Sequence, residues 1–154
     1  MKKWEGYQKG VNLGGWFSQC DYTEERFNNF ITEEDFKVLS SWRLDHVRIP
    51  IDYNLVETEE GEFKESGFAH LDRAVAWCEK YGLNMILDLH KTAGYSFDRG
   101  NDVNTFFEDE QLHQRFYRLW EELARRYSKY YKRLAFELLN EVTDRSYCEI
   151  WNNI

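Results

Sequence analysis

The chain has 154 residues, 31% of them charged, with a formal net charge of −8 at neutral pH. That acidity repels nucleic acid and anionic membrane surfaces and suits a neutral substrate. No segment approaches the roughly 18 apolar residues of a membrane span, and three scattered cysteines (Cys20, Cys78, Cys148) make neither a disulfide framework nor a Cys-rich zinc site.

From the amino terminus onward, strand-like and helix-like runs alternate. The opening stretch carries two lysines with no apolar run behind them, so no signal peptide is read and a cytoplasmic location is expected. Residues 10–17 (GVNLGGWF) predict a first strand, with Gly14 and Gly15 marking close backbone approach at its end. A helix follows over 32–42. Thr32 with Asp35 makes a capping-box pattern, and Phe36, Leu39 and Trp42 recur at helical spacing.

The second strand is predicted at 46–51, where Val47, Ile49 and Ile51 alternate with His46, Arg48 and Pro50. The second helix spans 66–81, with Phe68, Leu71, Val75 and Cys78 on one face and Gly82 as its C-terminal cap. The third strand is 84–90. A polar and aromatic loop at 91–104 follows, long enough to suggest function. The third helix spans 109–130, with Leu112, Phe116, Leu119, Leu123 and Tyr127 in phase. The fourth strand is 134–140, and a fourth helix begins near Ser146.

Such alternation implies parallel β/α units. Four units fit a small doubly wound sheet or half of a closed barrel. The glycines at 10, 14 and 15 do not form a dinucleotide-binding loop, and no phosphate-binding loop is present, which favours the barrel. In a β/α barrel the active site lies at the C-terminal strand ends. Those ends here offer Trp16, Arg48, Asp88 with His90, and Asn140 with Glu141. Taken singly, each has a packing explanation. Trp16 reads equally as core, Arg48 as an ion-pair partner of Glu137 or Asp88, and Glu141 as a surface carboxylate. Glu137, four residues deeper than Glu141 on the same strand parity, reads as a buried partner rather than a catalyst. Tyr95, Phe97 and Asp98 are candidate contacts at a cleft rim. His46, His70 and His113 read as structural. The 18% aromatic content supplies either core or sugar-stacking surfaces, and composition alone leaves both open.

Four segments, KGVNLGGWFS at 9–18, DHVRIPIDY at 45–53, LNMILDLHKTAGY at 83–95 and LAFELLNEV at 134–142, resemble family 5 of the glycoside hydrolases, most of all its endo-β-1,4-glucanases. The resemblance implies a (β/α)8 barrel, of which residues 1–154 supply about the first four units of a single catalytic domain. It also implies a retaining β-glycoside hydrolase acting on β-glucan, with no metal or organic cofactor. Glu141 corresponds to the acid/base, Asn140 to the residue binding the sugar 2-hydroxyl, and Arg48 to the arginine that keeps the nucleophile ionised. His90 corresponds to a histidine lining the cleft, and Trp16 is carried as a substrate-binding candidate. Lys91 stands where relatives often carry a second histidine. The family's nucleophile glutamate belongs to strand seven, beyond these four units. The chain alone is therefore expected to be catalytically incomplete, and to self-associate or require its other half. A related β-1,3-glucanase or β-mannanase, or an inactive glycan-binding fragment, are the alternatives.

Overall fold

The computed structural model describes residues 4–97 and 104–154. Four strands, β1 (Gly10–Asn12), β2 (His46–Asp52), β3 (Asn84–Lys91) and β4 (Leu134–Glu137), form one parallel sheet in the order β1-β2-β3-β4. Spatial order follows chain order without reversal. A doubly wound sheet changes direction after its first crossover. A steady march with right-handed crossovers keeps every helix on one side, as in the wall of a barrel.

The side-chain period of two gives the sheet two different faces. Val47, Ile49, Ile51, Met85, Leu87 and Leu89 are all buried on the helix-covered face. The opposite face carries Arg48, Pro50, Ile86, Asp88, Ala135 and Glu137, in a register that sets Asp88 beside Pro50 and Glu137. The polar residues therefore line what would be the inside of a barrel.

Among the described residues, six α-helices accompany the strands: α1 (Glu24–Asn29), α2 (Glu33–Ser41), α3 (Tyr53–Val56), α4 (Glu65–Tyr81), α5 (Glu110–Tyr127) and α6 (Cys148–Asn153). The α2 start matches its sequence signal: the Thr32 backbone N–H and its hydroxyl donate to Asp35 Oδ2 at 2.7 and 2.8 Å. Phe36 and Leu39 are buried, but Trp42 lies beyond the last turn and is exposed. Helix α4 ends as expected on Gly82, whose φ of +70° is a left-handed cap. Within α4, Gly67 permits a close crossing: a Cβ there would lie 1.9 Å from the Leu55 carbonyl oxygen of α3. Phe116, Leu119, Leu123 and Tyr127 form the buried stripe of α5, and the Tyr127 hydroxyl donates to Asp72 of α4 at 2.9 Å. The predicted helix over 109–130 is α5 plus a 3-10 turn at Ser128–Tyr130.

Two differences from the sequence reading have local causes. The first strand is three residues long instead of eight. Gly15 turns the chain with φ +72°, and pairing resumes only at Phe17, which bridges Ile51. The fourth strand stops at Glu137, and Asn140 is tied back separately through its N–H to Leu89 O at 3.0 Å. Strands β1 and β4 each pair on one side only among the described residues. Among the described residues, no helix is long and apolar enough to cross a membrane.

Candidate active site

Arg48 organises the C-terminal end of the sheet. Its Nε and Nη2 donate to the two oxygens of Glu137, each at 2.8 Å, a fork that fixes the guanidinium plane. Nη2 also reaches Asp88 Oδ2 at 2.9 Å and Asn140 Oδ1 at 3.0 Å, while Nη1 donates to Asn12 Oδ1 at 2.9 Å. One side chain from β2 thus joins groups from all four strand ends. The structural role considered for Arg48 is present, with both Glu137 and Asp88 as partners.

Asp88 is fully buried and pairs with His90 Nδ1 at 2.8 Å. A carboxylate acceptor there puts the proton on Nδ1 and turns Nε2 away from the pair. Burial pushes the Asp88 carboxyl above its ordinary range, against the pull of His90 and Arg48. Burial by itself would lower His90. The hydrogen bond and charge of Asp88, with Asp52 nearby, more than reverse that, so its pKa is raised. Glu137 is held low by the Arg48 fork. The cluster therefore presents Glu137 as a carboxylate locked to a permanent cation.

Asn140 is buried with its amide oriented. Its oxygen accepts from Arg48, which leaves Nδ2 as an unpartnered donor among the described residues. Glu141 follows at once, exposed, with a φ of +52°. This left-handed backbone is unfavourable for a side chain with a Cβ. The Tyr95 hydroxyl holds it by donating to the Glu141 carbonyl at 2.7 Å. Strained residues of this kind cluster at functional sites. The Glu141 carboxylate lies close enough to Arg48 to stabilise its charge.

Arg48, His90, Asn140 and Glu141 are thus brought together as the strand ends predicted, and Trp16 is not. Trp16 is fully buried, donates its Nε1 hydrogen to Phe27 O at 3.0 Å, and stacks on Phe17 and Trp77. No face remains for a sugar ring, so its reading as a substrate contact is corrected to core. Tyr95 is likewise buried as a brace, Phe97 is half-exposed, and Asp98 lies outside the described residues. His46 bonds Asp45, His70 packs on Phe27, and His113 packs edge-on against Phe106, all apart from the cluster. Sequence reasoning missed Asn12, whose only signal is its position on the inner face of β1. It also missed Asp52 with Tyr22, which no spacing rule joins.

The profile of the family described as cellulase (glycosyl hydrolase family 5) matches residues 4–154. The chain belongs to glycosyl hydrolase family 5. Among curated proteins it is 51% identical to cellodextrinase A of Ruminococcus flavefaciens over 154 residues, covering all of this chain and 46% of that protein. It is 41% identical to endoglucanase C of Acetivibrio thermocellus over 151 residues, covering 96% of this chain and 43% of that one. The chain therefore spans about half the length of the curated relatives it matches. Among solved structures it superposes on Thermotoga maritima Cel5A in complex with cellobiose with a TM-score of 0.70 at 24% identity, covering 96% of this chain and 49% of that one. A trimodular subfamily 4 endoglucanase gives 0.75 at 19% identity, covering 96% and 29%. The four-stranded sheet is the first four β/α units of the family 5 barrel.

Proposed function

We propose that this chain carries the acid/base side of a retaining β-glucanase active site, of the endo-β-1,4-glucanase type. The observation that carries the proposal is the single Arg48 guanidinium tying Glu137, Asp88 and Asn140 together immediately beside Glu141. Retaining hydrolysis needs one carboxylic acid to protonate the leaving oxygen and a second carboxylate, about 5–5.5 Å away, to attack the sugar. Glu141 is the acid, and the base of the second step. The Nδ2 of Asn140, unpartnered among the described residues, is a donor suited to a sugar hydroxyl, because Arg48 already holds the amide oxygen. His90 is anchored on Asp88 through Nδ1, which leaves Nε2 on the far side of the ring from that pair. Arg48, a cation that keeps its charge at any working pH, favours an ionised nucleophile beside it. The nucleophile itself comes from the part of the family 5 barrel that this chain does not span.

The test is hydrolysis by a complete barrel containing residues 1–154, with the second half supplied in one polypeptide or in trans. Mixed-linkage β-glucan, β-1,3-glucan and mannan are offered in parallel. Glu141→Gln is expected to lower the rate on the preferred β-glucan by about 10²–10⁴-fold. A Glu141→Gln barrel as active as the parent would overturn the assignment.

A further inference from the structure

The end of the sheet opposite the active site carries a surface of another kind. The chain leaves α5 through the 3-10 turn at Ser128–Tyr130 and enters β4 at Leu134. Arg133 anchors this crossing: its N–H donates to Tyr130 O and its carbonyl accepts from the Met85 N–H, both at 2.7 Å. Between this loop and the end of α4 lies an open cleft of about 200 Å³, lined by Glu79, Lys129, Tyr130, Tyr131, Lys132 and Arg133. One wall comes from the helix that leads into β3, the strand already paired to β4, so the cleft does not depend on the unpaired edge of β4. Along β3, Met85 and His90 are about 17 Å apart at the rise of a strand. A group seated in the cleft therefore touches nothing in the catalytic cluster.

Charge and exposure set this cleft apart. Elsewhere in this acidic chain Lys37, Lys80, Arg115, Arg118, Arg125 and Arg126 are each paired with a carboxylate. Lys129, Lys132 and Arg133 make no ion pair among the described residues, and Glu79 is the one acid beside them in the lining. Cations near a helix C-terminus can simply answer its dipole, but that effect fades within a turn. Arg125 and Arg126 already stand in the last turn of α5, and Lys132 and Arg133 lie beyond it. Lys129 and Lys132 stand over the rings of Tyr130 and Tyr131, 5.0 and 5.7 Å from their centroids. Tyr131 is 74% exposed, more than any other large hydrophobic side chain among the described residues. Trp42 and Trp4, next in exposure, also lie on segments at this end of the sheet. Large side chains left so exposed mark interaction surfaces when they gather on one face.

We propose that this cleft is a non-catalytic docking site for a polysaccharide that carries carboxylates, such as one with glucuronosyl side groups. The cations take the carboxylate, and the Tyr131 ring takes the C–H face of the sugar. The cleft is smaller than the roughly 300–1,000 Å³ of pockets that enclose a whole ligand, so it seats one glycosyl unit of a longer chain. An acidic peptide would need the charges alone; the exposed tyrosine beside them favours a glycan. Docking here holds polymer against the protein and leaves the catalytic end open.

The complete barrel is run by affinity electrophoresis through gels containing glucuronoxylan, the same polymer with its carboxyls reduced to alcohols, or polyglutamate. Glucuronoxylan is expected to retard the parent, less so as salt is added, and the reduced polymer to retard it far less. Lys132→Glu/Arg133→Glu is expected to weaken the retardation about tenfold and Tyr131→Ala about threefold. These side chains are exposed, and thermal melts confirm that the variants fold. Equal retardation by the reduced polymer, retardation unchanged in Lys132→Glu/Arg133→Glu, or no retardation at all would each overturn the proposal. Polyglutamate retarding the parent as strongly as glucuronoxylan, with Tyr131→Ala binding normally, would overturn it in favour of an acidic protein partner. A parent that docks on glucuronoxylan but cleaves no glucan would overturn the glucanase reading and leave the docking site standing.

Discussion

Replacing Arg48 by methionine tests the central cluster most directly. The substitution keeps an unbranched stem and removes the guanidinium. Glu137 is over a third exposed and can turn to solvent, so its loss is small. Asp88 cannot: its side chain is 0% exposed, one oxygen is already unpartnered, and only His90 remains to it. Removing one partner of a buried charge pair costs about 3–5 kcal/mol, and that is the expected loss near neutral pH. The sign of its pH dependence follows from Asp88. Burial already raises this carboxyl above its ordinary range, and without Arg48 it rises further. A carboxyl whose folded pKa is raised takes up its proton more readily in the folded state. Its penalty is full above the folded pKa and fades as pH falls through it. Glu137, whose pKa Arg48 depresses, has the same sign but acts lower: its stabilisation is full above the ordinary glutamate value and is lost only as pH falls through the folded pKa, so the change between the two pH values comes from Asp88. The gap between parent and Arg48→Met should therefore be widest at about pH 7 and narrower at about pH 5. Urea unfolding followed by tryptophan fluorescence measures it at both. A loss below about 1 kcal/mol, or one equal at the two pH values, would refute the claim that Arg48 neutralises a buried Asp88.

Two further predictions concern packing and chemistry away from the cluster. Gly67→Ala and Gly82→Ala should both destabilise, for different reasons. At Gly67 a Cβ meets the Leu55 backbone at 1.9 Å, so α3 and α4 must separate at a cost of about 2 kcal/mol, at least double that at Gly82, where a Cβ meets nothing and only the positive φ is strained. Thermal melts rank the two, and a milder effect at Gly67 would contradict the close crossing. Burial pushes the Cys78 thiol up to about 12, while Cys148 is exposed and Cys20 lies between. A disulfide reagent at mildly alkaline pH should label Cys148 first, Cys20 more slowly and Cys78 only after unfolding. Rapid labelling of Cys78 in the native protein would show that α4 opens.

Much of this architecture was legible because the long elements obey a single period. In β2 and β3 alternate residues face the helices, and in α4 and α5 the apolar stripe recurs over several turns, so local pattern and tertiary burial agree. The site followed from topology: parallel strands deliver their C-terminal ends to one rim, which is why Arg48, His90, Asn140 and Glu141 could be grouped from sequence. What escaped depended on backbone geometry. Helices α1 and α3 have six and four residues, too few for a period to register. Thr23, which caps α1 by accepting from the Arg26 N–H, was the available signal. Trp16 follows the glycine turn that ends β1, and no pattern tells whether such a turn throws its ring outward or, as here, into the core. The hydrogen bond from the Tyr22 hydroxyl to Asp52 joins residues thirty positions apart through left-handed backbone at Gln19 and Tyr22, which propensity cannot foresee.

The left-handed turn at Glu141 has a consequence for how this position behaves over evolutionary time. A glutamate there is held against its own backbone preference, and glycine or asparagine would sit in the same turn at lower cost. On the acid/base role proposed for Glu141, any copy of the gene released from selection for hydrolysis would gain stability by losing it. Retention of glutamate at 141 is therefore a sign of selection on chemistry, whereas retention of Leu87 or Phe68, buried in the core, reports only selection to fold.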